Sequence, residues 1–166
     1  MKKNAEQIMN ITGIVAMILL ILIWIPFTIP KLFGLRLYGV ETGSMEPAYP
    51  VGSVVYVADA SADEVQTGDV ITYMLGSDTT TVMTHRVVEI REAERMFLTK
   101  GDANELVDAE PVSFDRLIGK PVFCIPNIAP VSAFMNSRAG MAVIVGLFLL
   151  VIVFWTAADK MKNKRN

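Results

Sequence analysis

The chain has one cysteine, Cys124, and one histidine, His85, among its 166 residues. A single cysteine excludes an internal disulfide, and Cys124 is expected to pack as a small apolar side chain rather than act as a ligand or nucleophile. With one thiol and one imidazole there is no cluster to bind zinc. A Gly-x-x-x-x-Gly-Lys-Ser/Thr phosphate loop is also missing, so neither metal nor cofactor is expected. Charge is absent over two long stretches. No Asp, Glu, Lys or Arg lies between Ile8 and Pro30, or between Ala139 and Ala158. The centre has no excess of positive charge: residues 31–138 hold fifteen acidic and nine basic side chains, which argues against nucleic acid as a partner.

What is present is apolar. Hydrophobic residues make up 52% of the chain, and the excess sits in the two uncharged stretches. About 20 apolar residues cross a bilayer core as a helix, so both are long enough to span. A buried helix of a soluble protein is the alternative for each, and a cleaved signal peptide for the first. The first run is longer than the roughly 7–15 residues of a signal-peptide core, and no clear small-x-small site follows it. Pro26 and Pro30 are expected to stop or kink it. Lys2 and Lys3 precede the first span, and Lys160, Lys162, Lys164 and Arg165 follow the second, which puts both tails on the cytoplasmic side. The expected organisation is a tail 1–7, an anchor 8–30, an extracytoplasmic domain 31–138, a second span 139–158 and a basic tail 159–166, in a two-span protein of the cell membrane.

The central domain reads as short β-prone runs separated by turns. Strands are expected at Leu35–Val40, Gly52–Ala58, Gly68–Met74, Thr79–Ile90, Met96–Lys100 and Leu117–Phe123, with a turn at Gly76, Ser77 and Asp78. The fold class is therefore mainly β, a compact barrel or folded sheet flanked by two transmembrane helices. The apolar stretch Pro121–Met135, broken by Pro126 and Pro130, reads either as a segment at the membrane surface or as a core strand plus a loop.

One segment carries a chemical signal. In Glu41-Thr-Gly-Ser-Met-Glu-Pro47, Gly43 permits a sharp backbone path that exposes the Ser44 hydroxyl, and Pro47 fixes the chain after it. A serine in such a turn offers a nucleophile and its own amide N–H as part of an oxyanion hole. Composition alone does not separate this from an ordinary turn.

The order of further segments does. Gly43-Ser44-Met45-Glu46-Pro47 resembles the nucleophile box of type I signal peptidases. Gly52-Ser53-Val54-Val55 and Gly68-Asp69-Val70-Ile71 resemble that family's strand starts. Met83-Thr84-His85-Arg86-Val87-Val88 resembles the box of the second catalytic residue, and Thr99-Lys100-Gly101-Asp102-Ala103-Asn104 its Lys-Gly-Asp-Asn box. His85 stands where bacterial housekeeping members have lysine, so the chain resembles the endoplasmic-reticulum and archaeal branch. A histidine base titrates near neutrality and needs less burial than a lysine base.

The resemblance implies a signal-peptidase-like β-domain and cleavage of signal peptides from preproteins by acyl transfer. It implies Ser44 as nucleophile, His85 as general base, and the Ser44 amide with Thr42 at the oxyanion. Asp108 is implied as the acid that orients His85, with Asp102 holding the loop or sharing that role. Lys100 is implied as a supporting residue. Implied partners are preprotein signal peptides, the lipid bilayer, and helper subunits or the translocation machinery. Apolar residues near Val40 and Met45 are expected to line shallow pockets for small side chains. Two rival readings are a Ser44–Lys100 dyad and a non-catalytic two-span assembly protein with a β binding domain.

Overall fold

The computed structural model describes residues 2–76 and 80–163. The expected turn at Gly76, Ser77 and Asp78 therefore lies largely outside the described residues, as do Thr79, Met1 and the last three residues. The chain divides into two compact units: Pro30–Ser132, and the helical ends of the chain.

In the helical unit, α1 runs from Lys2 to Leu32 and α3 from Arg138 to Asn163, with the short α2 (Ala129–Asn136) leading into α3. Within them, Asn10–Leu32 and Arg138–Thr156 are long and apolar enough to cross a membrane. A core helix of a soluble protein would be mostly buried, yet only 11% and 6% of these stretches is buried. Their Ile, Leu, Val and Trp side chains instead point outward, which fits hydrocarbon as the surrounding solvent.

Of the two expected outcomes, a stop or a kink, the prolines do not produce the stop. The helix passes through both Pro26 and Pro30, and its stop is a glycine. Gly34 has φ +79°, its N–H bonds to the Lys31 carbonyl, and the Leu35 N–H bonds back to Pro30. This paired closure satisfies carbonyls of the last turn and requires the left-handed conformation that glycine adopts freely.

The other unit is a seven-stranded antiparallel sheet in the order β1-β2-β7-β3-β4-β5-β6, so the mainly β expectation is borne out. The strands are β1 (Arg36–Gly39), β2 (Val54–Asp59), β3 (Val70–Met74), β4 (Val82–Arg91), β5 (Met96–Lys100), β6 (Val112–Ser113) and β7 (Leu117–Ile125). Pro121–Met135 combines the end of β7 with α2, so the expected loop is in part a helix.

Two apolar clusters support the sheet. One gathers Val65, Ile71, Tyr73, Val87, Phe97, Val112 and Phe114; the other is Val55, Val57 and Ile118, with Cys124 packed against it. In β5 the alternation is clear: Phe97 and Thr99 are buried while Met96, Leu98 and Lys100 are partly exposed, the period-2 signature of a strand with one face on a core. A bulge between Val87 and Glu89 places Val87 opposite Thr99. That register sets which β5 residues lie on the same face as His85.

Candidate active site

Ser44 sits in the middle of a single 3-10 turn, Gly43–Met45, whose Met45 side chain is buried. The turn is held from outside by the loop after β5: the Ala103 N–H donates to the Ser44 carbonyl at 2.9 Å, and the Asp102 N–H approaches the Met45 sulfur at 3.4 Å. His85 lies on β4 opposite Ile71 of β3 and is only 3% exposed.

The imidazole joins two other side chains. His85 Nε2 is 3.0 Å from Ser44 Oγ, and His85 Nδ1 is 2.6 Å from Asp108 Oδ2. With the proton on Nδ1 donated to the carboxylate, Nε2 is left to accept from the serine hydroxyl. Thr42 Oγ1 stands 3.5 Å from Ser44 Oγ, beside the nucleophile. A serine, a base and an acid in sequence are the arrangement that activates a hydroxyl for attack on an acyl group.

The comparisons point the same way. A segment of 91 residues is 42% identical to signal peptidase I W of Bacillus subtilis, covering 53% of this chain and 47% of that protein. The signal peptidase complex catalytic subunit SEC11C of Rattus norvegicus is 26% identical over 127 residues, 68% of this chain and 65% of its own length. The chain is similar to proteins named as signal peptidases. The putative signal peptidase complex catalytic subunit SEC11B of Homo sapiens is 27% identical over 124 residues, 66% of this chain and 74% of that protein. The chain spans about half the length of the Bacillus relative and about two thirds of the rat one. No protein-family model matches it.

In this chain the two candidate acids part company. Asp108, not Asp102, touches His85. Asp102 instead forms a two-pronged ion pair with Arg86, whose Nε and Nη2 lie 2.8 and 2.6 Å from its two oxygens. The reason is strand parity: His85 and Arg86 are consecutive in β4, so they leave opposite faces of the sheet. Arg86 also donates to the Gly68 carbonyl at 2.8 Å. Asp102 thus ties the loop after β5 to the face of the sheet opposite His85. Lys100 donates to the Asn104 carbonyl at 3.2 Å, within the same loop.

Those ion pairs carry a pH signature. The hydrogen bonds from Arg86 hold the Asp102 carboxyl below its ordinary value of 3.8, and Lys120, 2.7 Å from Asp69, does the same there. A carboxyl with depressed proton affinity in the folded state stabilises the fold above its unfolded value. That stabilisation is lost as pH falls through the folded one. Thermal unfolding followed from about pH 6 to about pH 2 is expected to show a midpoint that drops below about pH 4. Asp102→Asn should remove part of that drop; an unchanged profile would contradict the pairing.

Gly101, in the box after β5, has a steric role that the sequence does not show. A Cβ there would stand 2.6 Å from the Ser44 carbonyl oxygen and 3.0 Å from Ser44 Cβ. Gly101→Ala is therefore expected to push the nucleophile turn off the imidazole. Displacements near 1 Å cost on the order of 100-fold in rate. Cleavage assays beside a melting curve check it: activity should fall far more than stability.

A cavity of about 410 Å³ opens beside Ser44, lined among others by Val40, Met45, Tyr49, Val82 and Met83. Two strand edges border it. β1 ends the sheet, and the first part of β4 pairs with β3 only, since β5 joins it from Arg86 onward.

Proposed function

We propose that this chain is a membrane-bound serine endopeptidase that removes signal peptides from translocated preproteins. The observation that carries the reading is the Ser44–His85–Asp108 chain, with contacts of 3.0 and 2.6 Å. Ser44 Oγ attacks the scissile carbonyl while His85 Nε2 takes its proton. The Ser44 amide and the Thr42 hydroxyl stabilise the oxyanion. The His85 cation, steadied by Asp108, then protonates the departing amine, which leaves as the new N-terminus of the mature protein. Water, activated by the same imidazole, hydrolyses the acyl-enzyme and frees the signal peptide.

An extended peptide can add to the free edges of β1 and of the first part of β4, as strand-addition ligands do. The cavity between them, lined by Val40, Met45 and Met83 and by Thr42, Thr81 and Thr84, would receive the peptide's side chains. The lysine-bearing tails are assigned to the cytoplasm and the β-unit to the opposite side, where the substrate's apolar core shares the bilayer and brings its cleavage site to Ser44. The names of the SEC11-type relatives support work alongside helper subunits.

Incubating the full chain in lipid vesicles with a preprotein tests the reading. Mature protein whose new N-terminus follows a small-x-small sequence supports it. A folded chain that binds the preprotein and leaves it intact overturns it and favours the assembly-protein alternative.

A further inference from the structure

Asp108 is held by more than His85. Its N–H donates to the Thr99 carbonyl at 2.8 Å, and the Thr99 hydroxyl donates to Asp108 Oδ2 at 2.6 Å. That is the same oxygen that meets His85 Nδ1 at 2.6 Å. One β5 residue thus grips the acid twice, once through its main chain and once through its side chain. Behind it, Tyr73 on β3 places its hydroxyl 3.3 Å from Thr99 Oγ1. The direction of this bond follows from counting protons. Thr99 has one hydroxyl proton and a carboxylate oxygen can only accept, so that proton is donated to Asp108 Oδ2. Of the two hydroxyls, Tyr73 is then the donor to Thr99, and its phenol also approaches the Asp108 carboxylate. Thr99 is fully buried and Tyr73 is 3% exposed, so water does not compete for either group. Burial pushes the Tyr73 phenol up to about 12, so it remains a donor across any working pH.

We infer that Thr99 and Tyr73 are positioning residues for the Ser44–His85–Asp108 site, Thr99 fixing Asp108 Oδ2 on His85 Nδ1 and Tyr73 fixing the Thr99 hydroxyl. This rests on the catalytic reading above. Asp108 lies on an irregular segment between β5 and β6 with Leu106 and Val107 exposed beside it, and a carboxylate on such a segment has free rotation unless something buried holds it. The sheet supplies that hold: β3, β4 and β5 bring Tyr73, His85 and Thr99 together behind the loop. No proton leaves the protein through this chain of hydroxyls; it sets geometry and charge at one oxygen.

The test uses the full chain in vesicles with a preprotein substrate, the single variants Thr99→Val, Thr99→Ser and Tyr73→Phe, and the Thr99→Val, Tyr73→Phe double variant. Thr99→Val keeps the shape and removes the donor to a charged acceptor, so kcat should fall roughly ten- to hundredfold with KM nearly unchanged. Thr99→Ser restores the hydroxyl and should recover most of that loss. Tyr73→Phe should cost about two- to fivefold alone and no measurable further loss when Thr99 is already valine, because its effect passes through Thr99. A second readout does not depend on turnover. His85 is the sole histidine, so its Nδ1 proton gives one resonance, which should move in Thr99→Val and return in Thr99→Ser. Equal losses in Thr99→Val and Thr99→Ser, or Tyr73 and Thr99 effects that simply multiply, would overturn the relay. If His85→Ala retains activity, the catalytic reading itself has failed. Loss in His85→Ala with full activity in Thr99→Val overturns the relay alone.

Discussion

Replacing Ser44 or His85 by alanine is expected to lower preprotein cleavage by about 10⁴–10⁶-fold, and replacing both should cost no more than replacing one. The reason is the 3.0 Å contact between them. A serine hydroxyl without a base is a weak nucleophile near neutral pH, and an imidazole without the hydroxyl has no bond to form. The two act as one unit, so their losses do not add. Ser44 packs by its backbone against Gly101 and Ala103, and Ser44→Ala alters none of those main-chain contacts, so the folded unit should survive. Cleavage assays on the two single variants and the double variant decide it. A double variant much worse than either single would mean that the two side chains contribute separately.

The second large effect distinguishes the acids. Asp108→Ala should reduce kcat by about 10⁴-fold, because the imidazole loses the group that fixes its tautomer and stabilises its cation. Asp102→Ala should act through the loop. It leaves the Arg86 guanidinium without its carboxylate, so the melting temperature should fall while kcat drops about tenfold or less. Measuring kcat and melting temperature for both variants separates the roles. The reverse pattern would move the catalytic acid to Asp102 and contradict the geometry.

The sequence made the ordered boxes visible, since each is a local run of residues, and those runs contain Ser44, His85 and Asp102. It made β5 visible to the residue, because Met96–Lys100 alternates cleanly between faces. The continuation of α1 was not legible. Pro26 and Pro30 break helices in water, but in an apolar span the remaining backbone bonds dominate, and the true stop is the left-handed Gly34. α2 was missed for a related reason. Pro130 is the second residue of Ala129–Asn136, in the first turn, where a missing N–H costs nothing. β6, two residues long, is too short for any periodicity to register.

The site's supporting residues were hidden more deeply. Choosing between Asp102 and Asp108 needs the parity of β4 and the course of a loop, neither of which spacing reveals. Thr99 stands in a family-like box without a role of its own there, and Tyr73 is an aromatic residue inside the expected strand Gly68–Met74. Their meeting with Asp108 depends on the bulge between Val87 and Glu89 and on the β3–β4–β5 register. Buried hydroxyls alternating into a core, as Thr99 does beside Phe97, are the sequence signal that could have drawn attention to them, because a buried polar group needs a partner.

Acid-quenching the full chain during turnover of a preprotein, followed by mass spectrometry of its peptides, tests the account most directly. It predicts the signal-peptide half of the substrate esterified to Ser44, and no such ester in the His85→Ala chain. The same acyl group found on another side chain, or sustained cleavage by a chain lacking the Ser44 hydroxyl, would contradict it.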